Sequence, residues 1–519
     1  MFCHKFNVWR IKTMASTVNR FTLPTIALSL MTVISAVSGL NVAIPSMAVD
    51  TGATQSEITW IVDSYTVVFA GLLLLAGALG DRFGRRNILA LGLVFFAIAA
   101  GAGSFMSDPV SLIGVRILMG IGAAAIMPAT LSIITSSFPP EKRAQAVSVW
   151  VGVAGAGAVL GLFASAFLLE YFEWNSFFLL NVGLAITALI GTLFAVPDSR
   201  ASTQEPLDIV GGLLSVVGVA SVVFGIIEGS DVGWDDTRTI SALTLGALAI
   251  SSFVLWELRI RHPLLDPRLF KLAGFTSGTV SLTIQFFAQF GFFFVGMQYL
   301  QYVADFTPLR AATQLLWLPL IVFPGARISA MLSRRISQKI LGGFGLSALA
   351  TGVFLFANLG TEFDYWYFTT ALLIFGLGFA FSMTPATVAI TESLSSDKQG
   401  VASAMNDLSR EVGSAIGIAV LGAALNDTYR SEMEQPTANL PAEVAEQIQS
   451  NVAFVTVDPP APLAMMWDDL VTAGIDAFTL GVGNAMGIAG WVAAAGAVIV
   501  IVVAPWKKLR GEPAVKAKH

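Results

Sequence analysis

The chain has 519 residues, of which 55% are hydrophobic and only 12% are charged, and its formal net charge at pH 7 is -5. Soluble domains carry about 25% charged residues, so this chain has too little charge to cover a water-exposed surface, and much of it must face lipid. The acidic balance, without a basic face, excludes a nucleic-acid partner. A single cysteine, Cys3, excludes an internal disulfide bond.

Apolar runs of about 20 residues recur along the chain, and each can cross a hydrocarbon core of about 30 Å as a helix. The first run is too long for the core of a signal peptide, which predicts an uncleaved first span. We predict an all-α polytopic membrane protein whose fourteen spans lie at residues 22–44, 58–78, 88–106, 111–137, 144–168, 175–196, 208–228, 240–258, 274–300, 309–331, 340–358, 365–390, 401–425 and 471–504.

The spans divide the chain into two bundles, an inserted pair and two tails. In order, we expect an N-terminal tail at 1–21, a six-helix bundle at 22–196, a linker with two additional spans at 197–273, a second six-helix bundle at 274–504 and a C-terminal tail at 505–519.

Basic residues test this division. With the N-terminus inside, only three of the 29 Lys and Arg residues fall in outer segments, namely Arg238, Arg310 and Arg430. A wrong helix count would scramble this alternation downstream of the error. The positive-inside rule therefore predicts an even number of spans in the cell membrane, with both termini cytoplasmic.

The second span begins Trp60-Ile-Val-Asp63-Ser-Tyr65, which places an acid in the outer third of an apolar helix. A carboxylate at that depth is costly unless it faces a cavity or a partner, so Asp63 is a candidate for proton or substrate binding. The alternative is an interfacial acid exposed to water.

The loop after the second span has an ordered pattern, G-A-L-G-D-R-F-G-R-R. Glycines permit close helix contact and a tight turn, and the aspartate can pair with an arginine or with a helix N-terminus. A loop that only fixes topology explains the arginines but not the spacing. The candidate residues are Gly77, Asp81, Arg82, Gly84, Arg85 and Arg86.

This loop resembles the signature of the major facilitator superfamily at every usual position. A degenerate counterpart at 325–335 follows the tenth span, which indicates two related halves. The resemblance implies the major facilitator fold, here two six-helix bundles plus two extra helices, whose halves rock about a central site. It also implies that the loop is a gate latch, broken and remade during transport.

Spans 4 and 5 carry two further patterns. Arg116 lies near mid-membrane, where a lone arginine is expensive and is a functional candidate by default. It resembles a drug-antiporter motif whose arginine is linked to proton transfer; the alternative is an arginine that ties helices through backbone carbonyls. Small residues on span 5 permit close packing and resemble, imperfectly, the glycine-rich antiporter motif; they are Gly152, Gly155, Gly157 and Gly161.

Span 13 holds three charged residues within two helical turns. Asp407 and Glu411 are i,i+4 neighbours, and Arg410 is the i+3 neighbour of Asp407. A carboxylate beside an arginine can titrate when a cationic substrate arrives. The alternative is an ion pair at the cytoplasmic end of a helix.

The run around Asp407 resembles the fourteen-span drug:proton antiporter family, as does Trp256-Glu257 followed by Pro263-Leu-Leu-Asp266. Asp63 matches an acidic position of the quaternary-ammonium and dye efflux pumps within that family. The resemblance departs in span 1, where Ala36 stands in place of the usual acid. Substrate charge and proton number therefore stay open.

The resemblance implies a proton-coupled exporter of amphipathic, often cationic compounds that works by alternating access. We expect no cofactor and no metal, a monomer, and small molecules, protons and the bilayer as partners. An exporter of one native metabolite, such as an amino acid, sugar or antibiotic, is the second hypothesis, because Ala36 leaves room for neutral or anionic cargo. A non-transporting sensor or scaffold is the third hypothesis, but the intact gate loop speaks against it, because a scaffold does not need a latch. An enzyme is the least expected class, because the sequence contains no nucleophile–base set and no phosphate loop.

Overall fold

The computed structural model describes residues 19–51, 53, 55–201, 206–333, 335–450, 452 and 467–506. All regular secondary structure in these ranges is helical, which confirms the predicted all-α class. Most of the two predicted tails lies outside the described residues.

Within the described residues, the first half contains seven helices, and the inserted pair follows them. The first half consists of α1 (Thr22–Ser38), α2 (Leu40–Thr51), α3 (Gln55–Phe83), α4 (Arg85–Gly103), α5 (Pro109–Ser137), α6 (Pro140–Leu169) and α7 (Ser176–Ala195). The inserted pair consists of α8 (Ile209–Asp231) and α9 (Thr237–Glu257), and a short 3-10 helix, Pro267–Lys271, comes after it.

In the second half, the described ranges form eight helices, two of them short. They are α10 (Ala273–Tyr302), α11 (Pro308–Gln314), α12 (Trp317–Leu332), α13 (Gln338–Phe356), α14 (Tyr365–Glu392), α15 (Gln399–Thr437), α16 (Ala442–Ser450) and α17 (Trp467–Val503).

Within the described part of the chain, thirteen helical stretches are long and apolar enough to cross a membrane. The predicted first span is instead two helices, because α1 has only 17 residues before Gly39. Gly39 keeps a helical backbone (φ -72°, ψ -28°), and its N–H donates to the carbonyl oxygen of Ser35, so α1 and α2 run nearly in line. The count of fourteen spans stays a prediction.

Aspartates begin several helices by accepting hydrogen bonds from the first free backbone N–H groups, which would otherwise be unpaired in an apolar setting. Asp108 begins α5, Asp208 begins α8 and Asp364 begins α14 in this way. At the start of α9, the backbone N–H of Arg238 bonds the carboxylate of Asp236 and holds its pKa below the usual value. Three of these four acids lie in segments predicted to be outside, which explains part of the acidity of those loops.

The two halves meet along two seams. Helix α3 of the first half packs against α15, and α6 packs against α12 and α14. The inserted pair lies beside the first half: α8 runs along α3, where the rings of Trp60 and Phe224 stack with centroids 5.5 Å apart, and α9 packs on α8. Helix α8 also reaches α15, so the pair borders one seam.

The segments between helices gather at two ends of the molecule. At one end, called here the basic end, Arg85 contacts the carbonyl oxygen of Ser396, and Lys398 contacts that of Pro263. At the opposite end, called the acidic end, the hydroxyl of Tyr299 donates to the carbonyl oxygen of Gly360 over 2.8 Å. These two groups are the segments that the charge pattern predicts to be inside and outside.

Candidate functional site

The end of α3 is bonded to the start of α15 through Asp81. Its carboxylate accepts hydrogen bonds from the backbone N–H of Gly400 at 2.8 Å and of Val401 at 3.2 Å. Arg85 donates to the same carboxylate from Nε at 3.0 Å and from Nη2 at 2.6 Å. Because the N-terminus of a helix carries partial positive charge, α15 attracts this anion. We call Asp81, Arg85, Gly400 and Val401 the latch.

The glycines of the motif are explained by the same geometry. Gly84 has φ of 101°, a left-handed conformation that glycine adopts without strain, and it makes the turn from α3 to α4. A Cβ on Gly77 would lie 2.5 Å from the carbonyl oxygen of Gly400. The two helices therefore come close enough for Asp81 to reach α15 only because glycines face each other.

The other two arginines of the motif contact different groups. The guanidinium of Arg82 lies over the ring of Phe83, 5.6 Å from its centroid, and the residue lines open space beside Asp81 and Val401. Arg86 donates to the carbonyl oxygen of Leu193 and thereby ties the start of α4 to the end of α7. Of the six candidates in this motif, the structure brings Gly77, Asp81, Arg82 and Arg85 to the seam.

A second carboxylate–arginine pair lies deeper on α15. Nη1 of Arg410 is 3.2 Å from Oδ1 of Asp407, and both side chains are buried. Because a helix rises about 1.5 Å per residue, Asp407 lies roughly 12 Å from the start of α15 and not at its water-exposed end. Glu411, which directly follows Arg410, is partly accessible and interacts electrostatically with Arg410 and Asp407. We call these three residues the central cluster.

The guanidinium of Arg410 lies between aromatic rings from the two halves. It is 5.1 Å from the ring centroid of Trp150 on α6 and 4.6 Å from that of Phe286 on α10. Trp150 is held in place because its Nε1–H donates to Oγ1 of Thr130 over 3.0 Å. A cation over two ring faces in a desolvated site is stabilised by the rings' electrostatics. The central cluster is therefore also a contact between the halves.

Some polar atoms around the cluster are left without partners. Oδ2 of Asp407, Nε of Arg410 and Oδ1 of Asn406 are buried, and none has a hydrogen-bond partner in the described part of the chain. The same holds for the side-chain oxygens of Gln285 and Gln289 on α10. A buried polar group without a partner costs about 1–3 kcal/mol. The cluster can therefore gain from new polar contacts.

Arg116 on α5 binds backbone rather than carboxylate. Its Nε donates to the carbonyl oxygen of Ile61 at 2.9 Å, and its Nη1 donates to that of Ala36 at 3.1 Å. Its guanidinium lies 4.3 Å from the ring centroid of Tyr65. Arg116 thus ties α5 to α3 and α1, and it reaches the backbone of the residue that replaces the usual acid of span 1.

Tyr65 and Asp63 of α3 both lie near Arg116. The buried Tyr65 places its ring against the guanidinium. Asp63 is half-buried on the same helix and interacts electrostatically with Arg116. Two side chains of α3 that differ in charge therefore face the same buried arginine.

The glycines of span 5 face two different helices. A Cβ on Gly161 would lie 2.9 Å from Cα of Ser35, and one on Gly157 would lie 2.9 Å from Sδ of Met31, both on α1. A Cβ on Gly152 would lie 2.5 Å from the ring of Phe323 on α12, in the second half. The surroundings of Gly155 lie outside the described part of the structure.

Sequence reasoning missed Trp150, whose ring faces Arg410. It also passed over Gln285 and Gln289, two buried amides of α10. Their signal in the sequence is two glutamines one turn apart within an apolar run, a placement that hydrocarbon penalises. Among the described residues, no group of three or more His, Cys, Asp or Glu side chains could hold a metal ion.

Residues 26–418 match the family model of the Major Facilitator Superfamily. The chain belongs to this superfamily and is a multi-pass membrane transporter rather than an enzyme.

Relatives in bacteria are resistance and efflux proteins. The puromycin resistance protein pur8 of Streptomyces alboniger is 33% identical over 74% of this chain and 77% of its own length. The methyl viologen resistance protein SmvA of Salmonella typhimurium is 31% identical over 79% and 83%. The multidrug efflux pump LfrA of Mycolicibacterium smegmatis is 30% identical over 84% and 87%.

Solved structures agree in fold. The human organic anion transporter MFSD10 superposes with a TM-score of 0.58 at 14% identity and covers 91% of this chain and 99% of its own. The proton:xylose symporter XylE superposes with a TM-score of 0.55 at 15% identity, over 92% and 95%. At such identities the likeness concerns the fold alone.

Proposed function

We propose that this protein exports amphipathic, often cationic compounds in exchange for protons by alternating access. One observation carries the proposal: Arg410, with Asp407 and Glu411 beside it, lies between Trp150 of the first half and Phe286 of the second. Carboxylates and ring faces together are the groups that bind organic cations. The resistance and efflux proteins among its relatives support the same reading.

Coupling follows from competition within the central cluster. A cationic substrate that reaches the rings meets the positions now taken by the guanidinium of Arg410 and must displace it. Once displaced, Arg410 can pair more fully with Asp407 or leave that carboxylate to the substrate. A proton that neutralises Asp407 or Glu411 removes the attraction for the substrate and favours release. One proton moving through about 100 mV supplies about 2.3 kcal/mol, or a roughly fifty-fold gradient of a neutral cargo, whereas one-for-one exchange with a monovalent cation moves no net charge and draws on the pH difference alone.

The proposal assigns the latch to the conformation closed at the basic end. With Asp81 bonded to α15, the halves cannot separate there without breaking charge-assisted hydrogen bonds. We place this end and both termini in the cytoplasm, as the positive-inside rule requires. We further propose fourteen spans, with α1 and α2 forming the first, and a monomer as the working unit.

Dye efflux in inverted membrane vesicles tests the proposal. We expect Asp63→Asn and Asp407→Asn to abolish efflux driven by a proton gradient while protein levels stay normal, and an uncoupler to abolish efflux by the unaltered protein. Asp427→Asn is a matched control, because Asp427 is an exposed acid on α15 outside the cluster. Full proton-driven efflux in both variants would remove these acids from the mechanism.

A native-metabolite exporter is the second candidate. Ala36 offers no acid, and its carbonyl oxygen is already bonded to Arg116, so this part of span 1 carries no negative charge for a cation. Neutral or anionic cargo fits that feature. A substrate panel in vesicles, with and without a pH gradient, separates the candidates: cationic dyes moving fastest supports the first, and an amino acid, sugar or antibiotic moving alone supports the second.

A further inference from the structure

The inserted pair α8–α9 has no part in the central cluster, yet both of its ends run to the latch. On the way into α8, the backbone N–H of Ala201 donates to the carbonyl oxygen of Asp81 over 2.8 Å. The backbone N–H of Arg85 donates to the carbonyl oxygen of Ser199, also over 2.8 Å. The chain that enters α8 is therefore hydrogen-bonded to the motif loop both before and after the turn at Gly84.

The chain that leaves α9, residues 258–272, reaches the start of α15, which is the part of the latch that binds Asp81. Nζ of Lys398 donates to the carbonyl oxygen of Pro263 over 2.9 Å. Lys398 immediately precedes α15, whose first N–H groups bind Asp81. Leu264 and Leu265 are 5% and 6% exposed, so these two side chains anchor the middle of the segment in the protein.

The start of the outgoing segment is fixed to the start of α8. Nε1 of Trp256 donates to both carboxylate oxygens of Asp208, at 3.0 and 3.1 Å. The fully buried Glu257 also lies here, and a Cβ on Gly211 would collide with the carboxylates of both Asp208 and Glu257. These contacts explain the Trp-Glu pair that the sequence singled out: it anchors residues 258–272 to the inserted pair.

The inserted pair itself is seated on the first half. Trp60 stacks on Phe224, and a Cβ on Gly71 would lie 3.0 Å from Cβ of Ala220. Pro263 lies shortly after this inserted pair in the chain, whereas Lys398 belongs to the second half. Their hydrogen bond crosses the same seam as the bond from Asp81 to Gly400.

A small cavity at the junction makes the hydrogen bond from Lys398 to Pro263 more important for keeping the junction closed. About 140 Å³ of open space lies at the junction, lined by residues of all three parts, among them Ala78, Asp208, Leu264 and Val401. Because packing there is incomplete, apolar contact holds the parts together less than it does along the seams. Individual polar bonds such as that of Lys398 then decide whether the junction stays closed.

We propose that residues 258–272 form a second latch at the basic end, and that Lys398 is its positioning residue, holding the start of α15 where Asp81 binds it. Any movement that separates Asp81 from Gly400 also pulls Lys398 away from Pro263. The inserted pair thereby raises the free energy of opening, whatever the substrate is.

Distances between spin labels across the basic end test this. The labels go on Asn87→Cys in the first half and Arg335→Cys in the second, both exposed positions, with Cys3→Ser removing the native thiol. We expect Lys398→Met to raise the ratio of long to short distances about fivefold, as the loss of about 1 kcal/mol of hydrogen bonding would. Lys398→Arg, which can still donate to a carbonyl, is expected to restore the short distances.

Lys271→Met is the matched control, because Lys271 is an exposed lysine of the same segment. An unchanged distribution in Lys398→Met overturns the proposal, and so does an equal shift in Lys271→Met, since a general loss of positive charge would then suffice. No substrate enters this measurement, so its outcome is independent of whether the protein exports drugs.

Hydrogen exchange on the unaltered protein gives a second test that needs no variant at residue 398. If the second latch opens with the first, the buried amides of Leu264 and Leu265 become exchangeable in the same step as the N–H groups of Gly400 and Val401. Exchange at Leu264 and Leu265 that is much faster and independent of those groups would show that the segment does not hold the seam.

Discussion

The described part of the chain contains two buried carboxylate–arginine ion pairs, and they differ in how completely they are bonded. Asp81 of the latch takes hydrogen bonds from Arg85 and from two backbone N–H groups of α15, and both of its oxygens have partners. Among the described residues, one oxygen of Asp407 in the central cluster has no partner, and neither has Nε of Arg410. A fully bonded pair resists change, whereas an incompletely bonded one can gain by exchanging partners. The same two residue types thus suit a lock in one place and a binding site in the other.

The largest effect is expected from removing the charge of the incompletely bonded pair. Asp407→Asn should eliminate the accumulation of tetraphenylphosphonium that a pH difference drives in inverted vesicles, since one-for-one exchange of a proton for a monovalent cation moves no net charge and draws on that difference alone. The amide cannot carry the exchangeable proton, although it retains the size of the side chain. Downhill movement of the cation is expected to persist, and its loss would point to misfolding instead.

A smaller effect is expected at the fully bonded pair. Asp81→Asn leaves the shape of the latch but weakens its charge-assisted bonds, which contribute about 1.5–3 kcal/mol each to a charged group. We expect the basic end to open about tenfold more often, as spin-label distances would show. If Asp81→Asn instead changed the affinity for tetraphenylphosphonium and left the distances alone, the division of roles between the two pairs would be wrong.

Gly400→Ala tests the latch by shape alone. The added methyl group would collide with the carbonyl oxygen of Gly77, so α3 and α15 must move apart. Overpacking of this kind costs about 1–3 kcal/mol. We therefore expect the basic end to open several times more often than in the unaltered protein. Gly487→Ala is the control, since a Cβ there meets nothing within 4 Å.

The smallest effect is expected from the rings. Trp150→Leu keeps an apolar side chain but removes one face over Arg410, and a cation–π contact contributes about 1 kcal/mol. We expect KM for a cationic dye to rise about fivefold with little change in KM for a neutral substrate. Equal changes for both cargoes would indicate a packing role for Trp150.

Much of the fold and part of the site could be predicted from the sequence. Apolar runs gave the helices, because a span in lipid must satisfy its own backbone. Charged stretches escaped this reasoning: α15 continues to Thr437, well past its predicted end at 425, because a helix leaving the membrane no longer needs apolar residues. The residue types of the motif loop predicted that Asp81 could pair with an arginine or with a helix N-terminus, and in the structure it bonds both Arg85 and the start of α15.

The partners of the central cluster could not be predicted in this way. Trp150 and Phe286 lie on other helices, far from Arg410 in sequence, and only the packing of the two halves brings them together. The hydrogen bond from Lys398 to Pro263 could not be predicted either. Its acceptor is a backbone carbonyl oxygen, and because every residue has one, the residue type gives no indication of the bond. Sequence patterns report neighbours on one helix better than contacts between helices.

The length of α15 has a mechanical consequence. Its 39 residues span about 58 Å at 1.5 Å per residue, almost twice a hydrocarbon core of about 30 Å, and its far part is braced by α16, where the hydroxyl of Tyr429 donates to the carbonyl oxygen of Ile448. A rigid rod that begins at the latch and passes through the central cluster turns a small tilt at one membrane surface into a displacement of several ångströms beyond the other. An antibody fragment bound to α16 would therefore respond to the closing of a gate on the opposite side of the bilayer, and a tightly bound one would block that closing.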